Sequence, residues 1–65
     1  MTIKVNGQNR DVPEGTNILV LLEGFKLAPD KVAVEVNRRL VRTAQYANAL
    51  KAGDEIEIVT FVGGG

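Results

Sequence analysis

Only one stretch of this chain has helical spacing, and it is short: Ile18, Leu21, Leu22 and Phe25 recur at three- and four-residue intervals, while Glu23 points away. About two turns of helix do not hold together alone in water, so this apolar stripe has to be laid on something. The other apolar runs alternate with period two, as half-buried strands do. The chain is therefore constrained to a sheet with one helix across a single face. Glu14-Gly15-Thr16 leads into the helix, with Thr16 expected as the N-cap, and Gly24 is expected just past the end as the C′ residue.

Taken in order, the chain opens with a hairpin. Thr2-Ile3-Lys4-Val5 alternates, Asn6-Gly7 is the preferred two-residue turn, and Gln8 to Val12 runs back. Ile3, Val5 and Val12 are expected to face inward, and Pro13, having no N–H for a ladder, ends the second strand. After the helix, Ala28-Pro29-Asp30 is a turn and Lys31 to Asn37 a strand with valines at every second position. Asn37-Arg38-Arg39 turns the chain into a short strand at Leu40-Val41. Arg38, Arg39 and Arg42 read as a solvated turn beside an edge strand.

Thr43 to Asn48 is an irregular or single-turn link in which Tyr46 covers the rim of the core, and Leu50 is an inward anchor. Lys51-Ala52-Gly53-Asp54 turns into the final strand, Glu55 to Val62. There Ile56 and Ile58 take the inner face because Glu57 is costly to bury. Val59 and Phe61, which share the face of Glu57, are then left partly exposed, covered by a loop or serving as a docking patch.

Sixty-five residues make one small domain, and a chain of this size buries only about 60% of its unfolded surface. Eight basic residues balance eight acidic ones, so no overall field draws in nucleic acid or an anionic membrane, and neither is expected as a partner. Cysteine and histidine are both absent. That removes the thiolate nucleophile, disulfides, the commonest general base and the usual soft metal ligands, so no metal, no bound cofactor and no self-contained catalysis are expected. The N-terminal residues lack the apolar stretch of a secretory signal, which makes a cytoplasmic address the expectation.

The element order (hairpin, helix, strand, short strand, loop, strand) fits an α+β fold with a mixed sheet of four or five strands and one main helix on one face. The first and last strands lie side by side and parallel in the centre, the helix supplying part of their crossover. This is the β-grasp, or ubiquitin-like, arrangement. It spans residues 1–62 and leaves 63–65 as a flexible glycine tail.

Gly63-Gly64-Gly65 have no side chain to pack and the largest backbone entropy to lose, so folding does not ask for them. They form a thin wire that reaches roughly 10 Å past its anchor. Such a wire threads into a narrow partner site, and its terminal carbonyl is open to a nucleophile from either face. A linker stub or frayed end would have the same composition.

Val32-Ala33-Val34-Glu35-Val36-Asn37, Gly53-Asp54-Glu55-Ile56-Glu57-Ile58-Val59 and Phe61-Val62-Gly63-Gly64-Gly65, together with the Asn6-Gly7 start and Leu21-Leu22, resemble the ThiS family of sulfur carriers in thiamin biosynthesis over nearly the whole chain. Arg38-Arg39 depart from the small residue often found after Asn37. The resemblance implies that Gly65 carries the chemistry. A ThiF-like adenylating enzyme would use MgATP to convert its carboxylate to an acyl-adenylate. A persulfide sulfur, drawn from cysteine by a desulfurase, would then give a thiocarboxylate, and a ThiG-like thiazole synthase would take that sulfur for the thiazole ring.

Gly63 and Gly64 would enter those partner sites, and Val59, Phe61 and Val62 would anchor the tail, with Glu57 adding a charged contact. The alternatives are a MoaD-like carrier for molybdopterin, a ubiquitin-like protein modifier, or a β-grasp interaction module with an inert tail.

Overall fold

The computed structural model describes residues 1–61. In chain order they form β1 (Thr2–Val5), β2 (Gln8–Asp11), α1 (Ile18–Gly24), a 3₁₀ turn at Pro29–Lys31, β3 (Val32–Val36), β4 (Arg39–Val41), a second 3₁₀ turn at Thr43–Gln45, and β5 (Glu55–Thr60). The strands make one five-stranded sheet ordered β2-β1-β5-β3-β4. β1 and β5 run parallel at its centre, and the other neighbours are antiparallel. This is the expected mixed sheet, with α1 across one face.

The core follows the alternation seen in the sequence. Ile3 and Val5 of β1, Val32 and Val34 of β3, and Ile56 and Ile58 of β5 turn toward Ile18, Leu21 and Leu22 of α1; all nine are buried. Tyr46 and Leu50, on the long link before β5, close the rim and are buried too. Phe25 is half-buried against this cluster, and the Arg10 guanidinium lies over its ring at 4.7 Å from the centroid, a cation–π contact across the edge of the sheet.

Both ends of α1 differ from the sequence reading. The N-cap is Asn17, whose side-chain oxygen accepts from the Val20 N–H at 2.9 Å. Thr16, expected there, is buried and donates its hydroxyl backwards to the Pro13 carbonyl at 2.7 Å, so its oxygen is committed to the preceding loop. At the other end Gly24 is the last helical residue. The left-handed position falls to Lys26 (φ 61°), with the Lys26 N–H bonded to the Glu23 carbonyl and the Leu27 N–H to the Leu22 carbonyl. Ending there keeps Phe25 in phase with the apolar stripe and lets Leu27 pack on the core. The price is a lysine in a conformation glycine adopts more easily.

Strand ends shift by a residue or two. β2 stops at Asp11, but Val12 still pairs with Met1, through N–H to carbonyl at 2.8 Å and through the terminal amine to the Val12 carbonyl at 2.7 Å. The turn between β3 and β4 uses only Asn37 (φ 53°) and Arg38 (φ 70°), and Arg39, read as part of the turn, is already paired with Val36. Two left-handed residues match the twist of a tight hairpin, and Arg38 sits where a small residue would be unstrained. β5 runs from Glu55 to Thr60, and the Phe61 N–H still bonds the Lys31 carbonyl at 2.9 Å. The end of the expected strand at Val62 and the boundary with the tail lie outside the described residues.

The two hairpin turns grip β5 from both sides. Asn6 donates its backbone N–H to the Ile56 carbonyl at 2.8 Å. Its side chain then fills the next ladder position, accepting from the Ile58 N–H at 2.7 Å and donating to the Ile58 carbonyl at 3.3 Å. Asn37 exchanges bonds with Glu55, its N–H to the Glu55 carbonyl at 2.8 Å and its side-chain oxygen from the Glu55 N–H at 3.0 Å, while its amide nitrogen reaches Asp54 at 3.0 Å. Backbone groups that the departing strands would leave unmet are satisfied in this way.

Two substitutions separate these effects in urea unfolding. Arg38→Gly is expected to raise stability by about 0.5–1 kcal/mol by relieving left-handed backbone. Asn37→Ala is expected to lower it by about 2 kcal/mol, through two lost side-chain bonds and a strained φ. The opposite order for the two would contradict the turn geometry.

Candidate functional site

β5 positions everything that leads to the glycine-rich end. It lies between β1 and β3, its inward isoleucines fix its register, and its outward residues look away from α1 onto the open face of the sheet. Cross-strand pairing sets the neighbours on that face: Val59 stands opposite Ala33, Glu57 opposite Glu35, and Glu35 in turn opposite Leu40. Val59 is 59% exposed, Phe61 58% and Leu40 70%, so among the described residues no loop covers the apolar residues near the end of β5.

Glu57 is exposed on this open face, and Glu35, which the sequence reading did not single out, faces it directly. Like charges so placed repel. Among the described residues the one ion pair within 4.0 Å joins the terminal amine to Glu14, so neither glutamate is neutralised by a lysine or arginine at that distance. The signal for Glu35 was available, since it alternates with Val34 and Val36; only its opposition to Glu57 required the register.

Asn6 and Asn37 were read from sequence only as turn formers. Their bonds to Ile58 and Glu55 make them the residues that fix β5 in place. An open groove of about 200 Å³, lined in part by Val36, Val41, Ala49 and Leu50, lies toward the start of β5, away from Phe61. Val62, Gly63, Gly64 and Gly65, expected to anchor the tail, thread it and carry the reaction, lie outside the described residues. The described residues contain no cluster of three or more acidic side chains arranged to hold a metal ion, and no helix long and apolar enough to cross a membrane.

Comparison with known proteins decides the family. The ThiS family model matches residues 3–65, a span that includes the glycine-rich end. The chain belongs to the ThiS family. A crystal structure of the thiamine biosynthesis protein ThiS from Geobacter metallireducens superposes with a TM-score of 0.79 at 35% identity, covering 100% of both chains. A solution NMR structure of a thiamine biosynthesis protein from the same organism gives 0.77 at 35% identity, over 100% of this chain and 88% of that one. The β-grasp fold expected from the strand order is thus the fold of ThiS proteins.

Two curated relatives are named thiazole synthase. One, from Magnetococcus marinus, is 44% identical over 66 residues, and one from Paramagnetospirillum magneticum is 38% identical over the same length. Each match takes in 100% of this chain and only 20% of the relative. In both, a ThiS-like segment forms part of a polypeptide about five times longer.

The assignment of faces on β5 has a direct check. Phe61→Ala should shift unfolding free energy by no more than about 0.5 kcal/mol, as for an exposed position, whereas Ile58→Ala should lower it by about 2–4 kcal/mol through a cavity in the core. Equal losses would mean that the faces are assigned wrongly.

Proposed function

We propose that this chain is a sulfur carrier of thiamin biosynthesis, a protein co-substrate whose Gly65 carboxylate is the reacting group. The observation that carries the reading is the family match running through residue 65, on a chain in which the sequence after the last central strand is Phe61-Val62-Gly63-Gly64-Gly65. The domain serves as a handle: Glu57, Val59, Phe61 and Val62 dock it on a partner, and Gly63 and Gly64 pass through a channel too narrow for a Cβ.

The chemistry belongs to the partners. In a ThiF-like adenylating enzyme the Gly65 carboxylate oxygen attacks the α-phosphorus of MgATP, the bond to pyrophosphate breaks, and an acyl-adenylate forms. This replaces a very poor leaving group with AMP. The terminal sulfur of a donor persulfide, charged from cysteine by a desulfurase, attacks the Gly65 carbonyl carbon and expels AMP. A second thiol then cleaves the resulting acyl disulfide, being oxidised to a disulfide with the donor cysteine, and leaves the thiocarboxylate.

A ThiG-like thiazole synthase is the acceptor, a pairing supported by the relatives in which a ThiS-like segment and a thiazole synthase share one polypeptide. A cytoplasmic setting supplies the ATP and reduced thiols these steps consume.

ATP–pyrophosphate exchange by the adenylating enzyme tests the reading. The chain should stimulate exchange, and a chain lacking Gly64 and Gly65 should fail to do so while unfolding at the same urea concentration. Stimulation that survives the deletion would exclude Gly65 as the reacting group.

A further inference from the structure

Of the asparagines in the chain, Asn6 alone precedes a glycine; Asn9, Asn17, Asn37 and Asn48 are followed by Arg, Ile, Arg and Ala. Asparagine loses its amide when the next residue's backbone nitrogen attacks the side-chain carbonyl carbon, and glycine, with no Cβ, obstructs that attack least. Sequence chemistry therefore singles out Asn6-Gly7. The fold opposes it. The Asn6 carboxamide is turned across to β5, its Oδ1 accepting from the Ile58 N–H at 2.7 Å and its Nδ2 donating to the Ile58 carbonyl at 3.3 Å, while its own backbone N–H is held by the Ile56 carbonyl at 2.8 Å. To meet the Gly7 nitrogen, the carboxamide has to release both bonds to Ile58 and rotate back over its own turn.

We infer that Asn6 is a hydrolytic modification site of this chain, closed while the β1–β5 seam is closed and open when the seam opens. The reaction balances without any enzyme. The Gly7 nitrogen gives up its proton and bonds to the Asn6 Cγ, ammonia leaves, and a succinimide ring forms. Water then opens the ring at either carbonyl, to aspartate or to isoaspartate. Neither product restores the grip on β5. An aspartate oxygen still accepts from the Ile58 N–H, but its other oxygen has no hydrogen for the Ile58 carbonyl and is set against it. Isoaspartate adds a methylene to the backbone inside a two-residue turn whose φ angles, 49° and 84°, are already specialised.

The modification is irreversible in water and releases the side chain that holds Ile58 on the β1 side of the strand. It converts transient opening of one seam into a lasting loosening of β5.

Three incubations at mildly alkaline pH test this, each read by peptide mass mapping for amide-to-acid conversion: folded chain, chain in concentrated urea, and folded Asn6→Asp chain. In urea, conversion should be concentrated in the peptide containing Asn6, and in the folded chain it should be at least tenfold slower, because reaction has to wait for opening. The Asn6→Asp chain, which imitates one product, should convert no further at this peptide, and its Ile58 amide should exchange hydrogen about tenfold faster than in the parent chain. Equal rates in folded and unfolded chains would overturn the protective role of the seam. Conversion mainly at another asparagine in urea would overturn the site.

Discussion

The structure depends on how a central strand is held where its parallel neighbour leaves early: β3 pairs with β5 from Ile56 to Thr60, but β1 pairs only with Glu55 and Ile56. β5 has six residues, and β1, its parallel partner, turns away after Val5. A parallel neighbour that leaves early would abandon the amide and carbonyl of Ile58 in the middle of the sheet, and unmet backbone groups there cost about as much as a lost hydrogen bond. The Asn6 side chain takes the place of the missing strand, and on the other side Asn37 does the same for Glu55. Both asparagines stand at positive φ, at 49° and 53°. Asparagine combines tolerance of that conformation with a side chain able to accept and donate at once.

Holding β5 in this way has a structural consequence. The strand's inner face is fixed by Ile56 and Ile58 in the core, so its outer face is free to carry residues that folding does not need. Val59 and Phe61 are exposed near its end, and Glu57 faces Glu35 without a cation at hand. In a domain of this size, with little core to spare, that apolar and like-charged outer face is the surface on which the proposed carrier role would dock the domain.

Much of this was legible in the sequence because period-two and period-3.6 patterns do not overlap in this chain. The valines of β3 and the isoleucines of β5 gave faces and strand order, and Asn6-Gly7 gave the first turn. Boundaries were harder, because competing groups decide them locally. Thr16 and Asn17 are both good caps, and which one serves depends on the Pro13 carbonyl, which takes the threonine hydroxyl. Gly24 was a reasonable helix stop until the packing of Phe25 carried the helix phase past it. The clasp by Asn6 and Asn37 and the opposition of Glu35 to Glu57 depend on register, and register emerges only when distant strands are set side by side. The glycines stand out in the sequence because folding does not ask for them, and the role expected of them falls on residues outside those described.

The intact mass of the full chain, after incubation with MgATP, the adenylating enzyme and a cysteine-fed persulfide donor, tests the carrier account most directly. The account predicts the mass of a chain in which one oxygen has been replaced by sulfur, appearing only when all three are present. An unchanged mass, with the same partners shown to be active on another carrier, would contradict it.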